Sequence, residues 1–241
     1  MDFIEECKTL SIENTINFLK EFPELAAKGA ETKEQQINNI LNFYSKKIQP
    51  NNQTTTPDYL VSRILELVFK NKESERELMQ KQYNNQKQTE MMIGQLLEWY
   101  LLKEGKNCGW IFTAECVRAV DFLKMENESW MLYQIKNSDN TENSSAKDIR
   151  TGTPIIHWFR RFSNPTTITP KLTKKGTINK HGWKKFQKEL DKRQKTLDLT
   201  PFKTPLFNWD NFPDEKLRER VSEEGFENFV ISYFQNGCSF S

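Results

Sequence analysis

No stretch of this sequence approaches the roughly 20 consecutive apolar residues that a membrane span requires. Residues Met1 to Glu6 are acidic and lack the basic-then-apolar order of a secretory signal. Cysteine is sparse: Cys7, Cys108, Cys116 and Cys238 are scattered without C-x-x-C spacing, which argues against a zinc site and fits free thiols in a reducing cytoplasm. Histidine is scarcer still, and neither His157 nor His181 has a cysteine or second histidine at ligand spacing. A glycine-rich phosphate-binding loop is also missing, so no nucleotide cofactor is expected.

What is present is polar and unevenly charged. Hydrophobic residues make up 36% of the 241 residues and charged residues 28%, with a mean hydropathy of −0.77. That length allows one large domain, or a domain with a helical appendage, and can bury a real core. The formal net charge of +2 conceals a block from Lys147 to Lys195 with 14 basic against 3 acidic side chains. A basic block in an otherwise acidic chain suits a polyanionic partner; the plainer alternative is a solvated lysine-rich loop. Within it, Lys174 and Lys175 lie near His181, Trp183 and Phe186. If this stretch lies on nucleic acid, its phosphate contacts set affinity and make binding steeply salt-dependent.

The chemistry-bearing stretch runs from Val120-Asp121-Phe122, across a polar and loop-like gap, to Trp130–Lys136. It predicts two short strands forming a hairpin. Side chains alternate across a strand, so Gln134 and Lys136 share one face, and pairing brings Asp121 beside them. A carboxylate, a second oxygen ligand and a lysine at one spot suit Mg²⁺-assisted phosphodiester hydrolysis, with Asp121 on the metal and Lys136 on water or phosphate charge. An ordinary edge hairpin with solvent-facing polar residues is the plainer reading.

The N-terminal third is expected to be helical. Apolar spacing predicts a helix over residues 2–21, Phe22-Pro23 breaks it, and Thr32 caps a second helix. Pro57-Asp58 spells a literal "PD" but opens an amphipathic helix, with Pro57 at its first position. A long helix is predicted over about 73–104, with Glu98 among apolar neighbours, where it either serves as a surface acid or lends a second carboxylate to the metal site. Residues 1–72 are expected to form a helical region and 73–241 the core, with one continuous domain as the alternative. After Lys136 comes a run of short hydrogen-bonding side chains, including Asn140, Ser144, Ser145, Lys147 and Arg150. Such side chains contact phosphates and base edges. Pro154 is expected to start a helix presenting Arg160 and Arg161, which join these residues as candidate contacts to phosphate or base edges. Pro201 to Pro213 reads as irregular, and Asp214 to Phe234 as a C-terminal helix, continuous or interrupted at Gly225 with a strand-like end.

Asp121, Gln134 and Lys136 resemble the PD-(D/E)xK nuclease core, with Val120 in the proline slot and Gln134 in the middle-acid slot. The longer string QIKNSDNTENSSAKDIRTGTPIIHWFRRF resembles the SinI/AvaII-type restriction endonucleases, over about residues 95–165. The resemblance implies an α/β fold, a small mixed β-sheet flanked by helices. It also implies a homodimer making Mg²⁺-dependent double-strand cuts in DNA at a short, nearly palindromic site such as GGWCC. By position it makes Asp121 the metal-binding acid, Gln134 the replaced second acid and Lys136 the catalytic lysine. The charge missing at Gln134 is expected from Glu98, or else from Glu115 or Glu142. The competing readings are a non-catalytic DNA-binding protein and a structure-selective repair nuclease.

Overall fold

The computed structural model describes residues 3–48, 64, 75–139, 154–163, 167–168, 202–203 and 206–236. Helix α1, Phe3–Glu21, buries Cys7, Ile16, Phe18 and Leu19 along one stripe. Helix α2, Lys33–Ser45, begins at a capping box: the Thr32 hydroxyl accepts from the Gln35 amide, and the Gln35 side chain accepts from the Thr32 amide. Those two bonds satisfy donors that a helix start otherwise leaves open.

Helix α3, Arg76–Gly105, has two characters. Its first half is polar and largely exposed, whereas Leu96, Leu97, Trp99, Tyr100, Leu101 and Leu102 are all buried. A helix buried nearly all round needs partners on opposite sides. On one side Phe43 of α2 stacks on Trp99, with centroids 5.0 Å apart; on another Tyr100 meets Phe226 and Phe229. Glycine stands at Gly105, the last residue of the helix, because a Cβ there would lie 2.8 Å from the Trp110 Cβ.

The main sheet has the order β1-β2-β3-β4, formed by Ile111–Phe112, Phe122–Glu126, Ser129–Ser138 and Ile155–Arg161. The first three strands are antiparallel; β4 runs parallel to β3, pairing Gln134 with His157 and Lys136 with Phe159. A second pair joins β5, Thr167–Ile168, to β6, Phe202–Lys203. Two helices follow, α4 at Glu215–Arg218 and α5 at Glu223–Gln235. The protein is therefore α/β, a small mixed sheet flanked by helices. Cys7, Phe18 and Ile40 from the first two helices share one hydrophobic cluster with Trp99, Phe122 and Trp158. Among the described residues no helix is long and apolar enough to cross a membrane.

Three local expectations are corrected. The loop-like gap in the hairpin is strand: Leu123, Lys124 and Met125 pair with Leu132, Met131 and Trp130, and only Asn127 and Glu128 turn. Both have positive φ, 47° and 63°, the twist-matched geometry of a two-residue hairpin. The misleading residue is Lys124, which reads as a loop charge but is buried against Asp214 at 2.5 Å. The segment after Pro154 is a strand, not a helix. Its Ile155-Ile156 and aromatic residues suit a pleated surface, and proline is tolerated where a strand begins. Finally, the chain after Asp214 forms two helices with the break before Ser222; Gly225 lies in the first turn of α5, and the Phe229–Phe234 end is helical.

Candidate active site

The hairpin brings the expected residues together. Register pairs Phe122 with Tyr133, so Asp121 and Gln134 fall one step further along, on the opposite face from that pair. The Asp121 amide donates to the Tyr133 carbonyl at 2.8 Å, and its Oδ2 accepts from the Ile135 amide at 2.6 Å. One carboxylate oxygen is thus held by backbone while the other is left to the face. Gln134 is 3% exposed, and its Oε1 has no hydrogen-bond partner among the described residues. A buried carbonyl oxygen without a donor costs about 1–3 kcal/mol, which a bound cation or water relieves. Lys136, two residues on, shares this face half-buried.

Helix α3 delivers Glu98 to the same place. Burial pushes its carboxyl well above the usual range, the negative charges of Asp121 and Glu115 push it further, and the Lys136 ammonium opposes them. Asp121 is raised to about 6, again chiefly by burial, with the Ile135 amide and Lys136 pulling down and Glu115 pushing up. Two desolvated acids, a nearby third acid and a lysine therefore act on one another, with the Gln134 amide oxygen on the same strand face as Lys136. Among the described residues, no three His, Cys, Asp or Glu side chains form a group set to hold a metal ion by themselves. The oxygen donors here nevertheless fit a hard cation: Asp121, the orphaned Gln134 Oε1 and Glu98 are all oxygen ligands, and water completes the shell around such an ion.

The two arginines of β4 diverge because strand residues alternate. Arg161 is exposed. Arg160 is buried rather than presented on a helix surface: its Nε donates to Asn137 Oδ1 at 2.9 Å, and its Nη1 pairs with Glu223 at 2.5 Å. The guanidinium also lies over the Phe207 and Phe226 rings at 5.4 and 5.1 Å. Asn140, Ser144, Ser145, Lys147, Arg150, Lys174 and Lys175 lie outside the described residues, as do Pro57-Asp58, Glu142 and the block from Lys171 to Lys195. Sequence reasoning did not find the Arg160–Glu223 pair or the Lys124–Asp214 pair, which span 63 and 90 residues. No local pattern signals either.

The chain matches the SinI restriction endonuclease family over residues 4–192. It is 32% identical to the type II restriction enzyme SinI of Salmonella infantis, with 91% of this chain and 84% of that protein covered. It is 31% identical to the type II restriction enzyme Eco47I of Escherichia coli, with 97% and 90% covered. A match of this extent, over a mixed sheet that sets Asp121, Gln134 and Lys136 on one face, places the chain in the SinI restriction endonuclease family of type II restriction enzymes.

Proposed function

We propose that this protein is a Mg²⁺-dependent endonuclease of the PD-(D/E)xK kind that cuts both DNA strands at a short, nearly palindromic, GGWCC-like site. The observation that carries the reading is the orphaned Gln134 Oε1 beside the backbone-held Asp121 carboxylate, with Lys136 on the same face. A homodimer in the cytoplasm, each subunit cutting one strand, matches a palindromic site, as two-fold proteins do. Residues 1–72 and 73–241 are taken as one continuous domain, since the first two helices share the core of the sheet.

Asp121, Glu98 and Gln134 would hold the cation. Bound there, it supplies Lewis-acid stabilisation of charge on the scissile phosphate and a more acidic water. The chain's own groups do the positioning. The Ile135 amide fixes the Asp121 carboxylate. Lys136 orients the attacking water and offsets charge that grows in the transition state. Helix α3 and the sheet exclude solvent behind Glu98. Arg161, Asn140, Ser144, Ser145, Lys147, Arg150, Lys174 and Lys175 are the proposed DNA contacts; Arg160, expected among them, is assigned instead to the core.

Incubation with phage λ DNA, in Mg²⁺ and in EDTA, tests this directly. Discrete fragments are expected only with Mg²⁺, and Lys136→Ala is expected to lower cutting roughly 10²–10³-fold. DNA that is shifted but uncut in every lane would leave a binding protein; cutting at branched structures without discrete fragments would leave a repair nuclease. Glu98→Ala is expected to reduce cutting about as much as loss of the Asp121 carboxylate does. Unchanged turnover in Glu98→Ala would remove Glu98 from the metal site.

A further inference from the structure

The turn between β1 and β2 contains a backbone feature that the metal site described so far does not use. Ala114, Glu115 and Ala119 have φ of 48°, 62° and 59°, although none is glycine. Left-handed backbone at a residue with a Cβ costs about 1–2 kcal/mol, and it persists only where surroundings hold it in place. Here they do. The Thr113 amide donates to the Asp121 carbonyl at 3.0 Å, and the Thr113 hydroxyl to the Val120 carbonyl at 2.6 Å. On the other side the Ala27 amide donates to the Cys116 carbonyl at 2.9 Å, and the Arg118 amide to the Leu25 carbonyl at 2.8 Å. The knuckle is clamped at both ends, and Glu115 is its exposed tip.

The clamp ties Glu115 to the candidate centre. Thr113 bonds to the backbone of Asp121 itself, so the residue two places on is fixed relative to that carboxylate. Glu115 acts electrostatically on both Asp121 and Glu98. It differs from them in facing solvent, whereas Glu98 and Asp121 are half-buried. The centre also lacks a charge, because Gln134 presents a neutral, unpartnered oxygen where a second acid would otherwise stand.

We infer that Glu115 is a further cation-binding residue, holding the waters of a hydrated divalent ion from the solvent side and supplying the negative charge that Gln134 does not. The inference rests on the metal site proposed above. Contact through water agrees with the lack of any tight triad of acids among the described residues. It also gives the strained backbone a purpose, since the clamped knuckle keeps the Glu115 charge within electrostatic reach of Asp121 and Glu98.

The test is the Mg²⁺ concentration that half-maximally raises the melting temperature of the DNA-free protein. It is measured for wild type, Glu115→Gln, Asp121→Asn and the double variant Glu115→Gln/Gln134→Glu. Glu115→Gln is expected to need roughly tenfold more Mg²⁺, in the range that outer-shell partners of metals show. The double variant is expected to return towards wild type, because Gln134→Glu restores the charge inside the site. A wild-type midpoint in Glu115→Gln, with Asp121→Asn unresponsive, overturns the role of Glu115 and leaves the metal site standing. A wild-type response in Asp121→Asn overturns the metal site itself, and this inference with it.

Discussion

Asp121→Asn is expected to stabilise the metal-free protein while removing its nuclease activity. The carboxamide oxygen that this substitution introduces can still accept from the Ile135 amide, so the local geometry is retained. What disappears is a desolvated charge held among Glu98 and Glu115. In the folded chain Asp121 keeps its proton up to about pH 6, against an ordinary value of 3.8. Between those values the folded state binds more protons than the unfolded one. Stability therefore falls as pH rises through that window, and the cost is fully present above it. Removing the charge is expected to add about 3 kcal/mol near neutral pH, roughly 9 °C in melting temperature for a chain of this size. The gain should vanish near pH 4. Cutting, in contrast, is expected to fall roughly 10³-fold, since the cation proposed for this site would lose its fixed carboxylate. A variant destabilised at pH 7.5 in EDTA would refute the picture of a charge-crowded site.

The second large effect lies behind the site. Arg160→Ala is expected to destabilise the fold by roughly 3 kcal/mol, because truncating one member of a largely buried ion pair strands the other. Among the described residues Glu223 would keep its bond from the Trp209 indole, at 2.8 Å, and Asn137 would lose the donor that fixes it beside Lys136. Arg161→Ala is the contrasting variant. Its side chain is exposed, so its melting temperature should stay close to wild type while DNA affinity falls. Thermal unfolding and a binding assay on the two variants separate these roles. Equal melting temperatures for both would show that Arg160 is not clamped in the core.

The part of the molecule legible in the sequence was the part governed by short-range periodicity. Strand alternation was enough to set Asp121, Gln134 and Lys136 on one face, and a lone acid among apolar helix residues was enough to bring Glu98 towards them. Thr32 announced α2 as its cap, and the structure adds the reciprocal bond from Gln35. The errors occurred where a distant partner decides. Lys124 reads as loop because nothing nearby reveals Asp214, and Ile155 to Phe162 fits a helix as readily as a strand until β3 is there to pair with. Arg160 looks like a DNA reader for the same reason: its acid, Glu223, arrives 63 residues later. Glu115 was one acid among several until the left-handed turn fixed its position.

That lateness has a consequence for how the enzyme comes into being. Lys124, Trp110, Trp158 and Arg160 all belong to the sheet or its entry, yet their polar partners come from Asn208, Asp214 and Glu223. A chain still being synthesised, with its strands emerged but its last thirty or so residues pending, leaves the Trp110 and Trp158 indoles without these acceptors and Lys124 and Arg160 with only part of theirs, from Glu126 and Asn137. The sheet face that carries Lys136 cannot settle in that state. A product truncated before Asn208 is therefore expected to lack cutting activity, which incubating such a truncation with DNA would check.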